Sequence, residues 1–101
     1  MIKELHETNF DGFIASGITL VEFFATWCGY CQKQQTVIEE LANDNITVGQ
    51  VDVDKNLALV RQYNIVSFPS FIIFKDGEAV KKFSGLHSKN AIMQFLSHYL
   101  K

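Results

Sequence analysis

Cys28 and Cys31 are the only two cysteines in a chain of 101 residues, and two residues separate them. A bridge between them would close a very small loop. Loop-closure stabilisation grows with loop length, and secreted disulfide scaffolds spread more cysteines along the chain. A stabilising staple is therefore a poor reading and a reactive pair a better one. Thiolate is the nucleophile in sulfur chemistry, and a free cysteine with a pKa of ~8.5 is ionised only to ~3% at neutral pH. A helix N-terminus presents unpaired N–H groups and the positive end of its dipole, and such settings bring thiols down to roughly 3.5–7.5. Zinc is the competing chemistry, but a closed site wants about four ligands. Only two cysteines exist, and His6, His87 and His98 lie far off in sequence. Two inert core thiols would not need the Trp27-Cys28-Gly29 lead-in.

The elements around the pair are those that would expose it. Ile18 to Ala25 is nearly all apolar, as a strand covered on both faces would be. From Tyr30 to Ala42 the period changes, with Val37, Ile38, Leu41 and Ala42 on one helical face and Gln32, Lys33, Gln35 and Glu39 elsewhere. Cys28 thus falls where a buried strand hands over to a helix, and Cys31 lies one turn further in. Gly29 permits close approach of a substrate backbone. Ile2 to His6 is ambiguous and fits a short strand, and Asn9 to Ser16 a short helix ended by Gly17. Ile46 to Val53 reads as a second buried strand. Asn56 to Tyr63 reads as a helix with Leu57, Val60 and Tyr63 inward. Ser70 to Phe74 and Glu78 to Ser84 flank Asp76-Gly77, a strong hairpin signal. Ser88 can cap a last helix, with Ala91, Ile92, Phe95, Leu96 and Tyr99 inward.

The order β-α-β-α-β-α-β-β-α implies parallel pairing with right-handed crossovers, plus one antiparallel hairpin. The expected α/β architecture is a mixed central sheet of four to five strands flanked by helices on both faces. The length fits a single domain, residues 1–101. The composition is 48% hydrophobic and 20% charged, enough to bury a core. With a net charge of -2 and no basic stripe, nucleic acid is not an expected partner. No apolar stretch reaches the ~20 residues of a membrane span. The first residues do not read as a secretory signal.

Trp27-Cys28-Gly29-Tyr30-Cys31 resembles the active-site motif of the thioredoxin family, which usually has proline where Tyr30 stands. The resemblance extends further. Ser67-Phe68-Pro69-Ser70, followed by Phe71 to Glu78, is similar to the family's proline loop and hairpin. Phe83-Ser84-Gly85 resembles the glycine that follows, and Val51-Asp52-Val53-Asp54 the second buried strand. It covers about residues 5 to 100 and implies the thioredoxin fold. It also implies a protein-disulfide reductase working by dithiol–disulfide exchange, with no bound cofactor.

By that resemblance Cys28 is the attacking and Cys31 the resolving thiol. Pro69 would follow a cis peptide and face the pair; by itself it also reads as a strand-start proline. The Phe68 backbone would pair with an extended substrate segment. Trp27, Gly29, Tyr30, Phe68 and Gly85 would line an apolar docking surface; Trp27 alone reads equally as core packing. Glu22 falls where the family has a buried acid, one that could accept the Cys31 proton through water. Its other reading is a strand-edge glutamate reaching solvent.

Two departures carry expectations. Tyr30, unlike proline, has an N–H, expected to add a donor near the Cys28 sulfur and to make the pair less reducing. Gln50 stands where the family often has a lysine beside the acid, so Glu22 is expected to be easier to protonate. His87 and His98 read as surface residues. The partners implied are disulfide-containing proteins and a thioredoxin reductase using flavin and NADPH, with the chain a cytoplasmic monomer. The rival readings are a disulfide isomerase or oxidase on the same fold, since Cys-Gly-Tyr-Cys also occurs in such proteins, and a non-catalytic thioredoxin-like binding subunit.

Overall fold

A computed structural model describes residues 1–100. Its elements are β1 (Ile2–Glu4), α1 (Phe10–Ile14), β2 (Ile18–Phe24), α2 (Gly29–Asn43), β3 (Val48–Asp52), α3 (Leu57–Gln62), β4 (Ser70–Lys75), β5 (Glu78–Ser84) and α4 (Lys89–Ser97). They form one five-stranded sheet in the order β1-β3-β2-β4-β5. β1 and β2 both run parallel to β3, while β4 is antiparallel to β2 and β5 antiparallel to β4. The mixed sheet of the sequence reading is thus found, with five strands.

The apolar run of β2 suits its central place, because both faces are covered. Side chains alternate along a strand, and β2 divides accordingly. Val21 and Phe23 join Phe10, Ile14, Leu59, Ile72 and Phe74 in a core beneath α1 and α3. Leu20 joins Ile38, Leu41, Phe71, Ile73, Ile92 and Leu96 beneath α2 and α4. Glu22 is two residues from Leu20 and so shares the α2 face. The edge strand β5 is largely exposed and carries Lys81 and Lys82, charges that discourage further pairing.

The local signals hold where they were specific. Asp76 (φ 50°) and Gly77 (φ 87°) both lie at positive φ, as a type I′ hairpin turn requires. Ser88 Oγ accepts from the Ala91 N–H at 3.1 Å and caps α4. In α3 the inward face differs from the expected one. Leu57 is 57% exposed, whereas Leu59 is buried beside the partly buried Val60 and Tyr63. A six-residue helix has too few turns to define a face, so Leu57 fell on the wrong side. His98 is exposed as expected, but His87 is half-buried, its ring edge-on to Phe71, Phe83 and Phe95.

Candidate active site

The site forms where β2 runs out. Cys28 is extended (φ −89°, ψ 117°) and is the N-cap of α2. An N-cap side chain accepts from the second or third helical amide. Here the Cys28 Sγ accepts from the Cys31 N–H at 3.1 Å. The Tyr30 amide was expected at this sulfur; the geometry gives the place to Cys31 instead. Both cysteines are free and buried, at 8% and 5% exposure, so the pair is a dithiol held within the fold.

The opposite wall is the loop before β4. The Phe68–Pro69 peptide is cis, and the Phe68 carbonyl lies 3.6 Å from Cys28 Sγ. Trp27 is 65% exposed, which removes the core-packing reading. Its Nε1–H donates to Asp54 Oδ2 at 2.9 Å, and its ring meets Phe68 edge-on at 5.7 Å. Tyr30 is 60% exposed, with Lys33 Nζ 5.9 Å from its ring centroid. The Gly85 N–H donates to the Pro69 carbonyl at 2.9 Å, which joins the loop after β5 to the proline loop. Cys28, Trp27, Phe68, Pro69 and Gly85 are therefore linked by contact or chain. Gly29 and Tyr30 are exposed on the first turn of α2.

Below the pair, Glu22 is 1% exposed, which removes the solvent-reaching alternative. It stands in register with Gln50 on β3, whose Nε2 donates to Glu22 Oε1 at 2.6 Å and to Gln35 Oε1 at 2.8 Å. Glu22 Oε2 is buried with no hydrogen-bond partner among the described residues. Burial raises the Glu22 carboxyl to about 7, against the smaller opposing pull of the Gln50 bond. A group that titrates near neutrality can both take and release a proton there. Burial also pushes the Cys31 thiol well above the ordinary thiol range, reinforced by hydrogen bonding to Cys28 and by the negative charge of Cys28 and Glu22. Cys31 therefore holds its proton until something removes it. An open cleft of about 230 Å³, lined by Phe24, Ala25, Thr26, Cys31, Gln32 and Gln35, reaches this thiol. A neighbouring cleft of about 390 Å³ shares Phe24, Thr26 and Gln35 and includes Gln50.

Sequence reasoning missed Gln34, Gln35 and Asp54. Gln35 lies one turn beyond Cys31, and that spacing was the available signal. Asp54 was read only as part of a strand motif. No group of three or more His, Cys, Asp or Glu side chains suited to a metal occurs among the described residues.

A dithiol at a helix N-terminus, a buried acid beneath it and a proline loop against it define a thiol–disulfide exchange protein built on an α/β sheet. The thioredoxin family model matches residues 1–98. The thioredoxin of Chlamydia pneumoniae is 38% identical over 101 residues, covering 98% of this chain and 99% of that protein. The thioredoxin of Staphylococcus epidermidis is 39% identical over 102 residues, covering 98% of each. The solved structure of a point-mutant thioredoxin from Halobacterium salinarum superposes with a TM-score of 0.90 at 32% identity, covering 98% of this chain and 92% of that one. The chain belongs to the thioredoxin family, and it is a protein-disulfide oxidoreductase of the dithiol type.

Proposed function

We propose that this protein reduces disulfides in other proteins, with Cys28 attacking and Cys31 resolving. The Cys28 sulfur attacks as thiolate on one sulfur of the substrate disulfide, whose bond breaks and whose second sulfur leaves as a thiolate that takes a proton from water. A mixed disulfide to Cys28 results. Cys31 then loses its proton to Glu22, directly or through water in the adjoining cleft, and attacks Cys28. The substrate departs with both sulfurs reduced, and the Cys28–Cys31 disulfide carries the two oxidising equivalents. One observation carries the assignment of roles. The Cys28 sulfur is the N-cap of α2 and faces the Phe68 carbonyl, while the Cys31 thiol holds its proton beside a buried acid.

Substrate docks on the rim formed by Trp27, Gly29, Tyr30, Phe68, Pro69 and Gly85. Trp27 and Tyr30 supply exposed aromatic surface, the residue types that anchor interfaces. The oxidised pair is reset by a thioredoxin reductase that passes electrons from NADPH through a flavin. The working place is the cytoplasm. No helix among the described residues is long and apolar enough to cross a membrane.

The test is the reduction of a protein disulfide with NADPH and a thioredoxin reductase. Steady NADPH consumption that requires both Cys28 and Cys31 is the expected result. Activity confined to a glutathione redox buffer would replace this reading with the isomerase, and no thiol-dependent activity in either would leave only a binding role.

A further inference from the structure

Gln34 is an amide on the inner side of α2, wholly buried at 0% exposure, one turn beyond Cys31. An amide in such a place is costly unless both its ends are paired. Both ends are taken by a single residue on another element. Gln34 Nε2 donates to the His87 carbonyl at 2.8 Å, and Gln34 Oε1 accepts from the His87 N–H at 2.9 Å. The side chain thus holds the His87 backbone at two points, as a neighbouring strand would.

His87 belongs to the loop between β5 and α4, and this loop is fixed to the docking rim. The Gly85 N–H donates to the Pro69 carbonyl at 2.9 Å. His87 Nδ1 lies 2.9 Å from the Gly85 carbonyl, and its ring packs on Phe83 at 5.0 Å. A continuous set of contacts therefore runs from α2, through Gln34 and His87, to Gly85 and Pro69, and returns to Cys28 through Phe68. The helix that carries the dithiol and the loops that would hold the substrate are held in one frame.

We infer that Gln34 is a positioning residue for protein substrates: its two-point bond to the His87 backbone sets the Gly85 and Pro69 segments of the rim relative to the dithiol. This inference rests on the reductase reading and adds to it a residue that touches neither sulfur nor substrate. A protein disulfide must dock on the rim to react, whereas a small soluble disulfide needs only the sulfur.

The test is Gln34→Met, which keeps the length and removes both hydrogen bonds. The KM for a protein disulfide should rise about tenfold while kcat changes by less than about twofold, because the lost interaction is one of docking and alignment. The rate with a small aromatic disulfide should stay within about twofold of the parent. An unchanged KM, or an equal loss with both disulfides, would overturn the inference. A parent protein that reduces neither disulfide would remove the reductase reading, and the inference with it. Should Gln34→Met not fold, amide hydrogen exchange in otherwise native protein decides. A peptide held on Cys28 as a mixed disulfide, in Cys31→Ser, should slow exchange at the His87 N–H about tenfold or more relative to the α1 amides, since coupling between loop and docking is reciprocal. Equal exchange with and without peptide would overturn it.

Discussion

Replacing Glu22 by glutamine should change how stability depends on pH, and by an amount the structure supplies. Glu22 is 1% exposed, and burial raises its carboxyl from 4.5 to about 7. The folded protein therefore keeps a proton that the unfolded chain has already released between those values. The sign follows: the stabilisation is complete below 4.5 and is lost as the pH rises through about 7. At ~1.4 kcal/mol per pH unit, the gap corresponds to roughly 3 kcal/mol, most of which falls between pH 5 and pH 8. The amide introduced by Glu22→Gln cannot ionise, yet its oxygen can still accept from Gln50 Nε2. The assay is urea denaturation of the reduced protein and of Glu22→Gln across about pH 5 to 8, where the difference between the two reports the Glu22 carboxyl. The parent should lose about 2–3 kcal/mol more than the variant over that range, and the variant should be the more stable at the alkaline end. Parallel curves would refute the reasoning, as would a parent that gains on the variant as pH rises.

Other substitutions probe the remaining parts. Gln50→Leu removes the only hydrogen bond found at the Glu22 side chain among the described residues, one that holds its carboxyl down, so the stability loss in the same denaturation series should move to higher pH. Gly49→Ala places a Cβ 2.5 Å from Leu5 Cδ1 and 2.9 Å from Phe13 Cε2. Overpacking of this kind costs about 1–3 kcal/mol, measurable as a lowered urea midpoint with an unchanged slope. Ser88→Ala removes the α4 cap and should cost about 1 kcal/mol, a fall of ~4–8 °C in Tm for a domain of this size.

Much of this architecture was legible because its signals are local. The nearly continuous apolar run of β2 reported a strand covered on both faces, and Asp76-Gly77 reported the hairpin. Cys28 and Cys31 stood out by spacing alone. Glu22 was conspicuous as the one acid in an apolar strand, though its burial depended on α2 lying over that face. What escaped depends on contacts between distant segments. Gln34 reads as one more polar residue of an amphipathic helix, and only the approach of His87, 53 residues away, explains a buried amide there. His87 looked solvated because nothing in its neighbours announces the Phe71, Phe83 and Phe95 rings around it. Trp27 has the composition of a core residue, and its exposure follows from Asp54 holding the indole at the surface. The Tyr30 amide was a fair candidate for the Cys28 sulfur by spacing, but the N-cap geometry favoured the third helical amide over the second.

The division of labour between the two sulfurs is tested most directly by trapping. Cys31→Ser and Cys28→Ser are each reacted with a disulfide-bonded protein, and the covalent products are separated without reductant. The roles assigned here require a mixed disulfide on Cys28 that accumulates in Cys31→Ser, and no comparable adduct in Cys28→Ser. Equal trapping by both variants, or trapping through Cys31 alone, would contradict them.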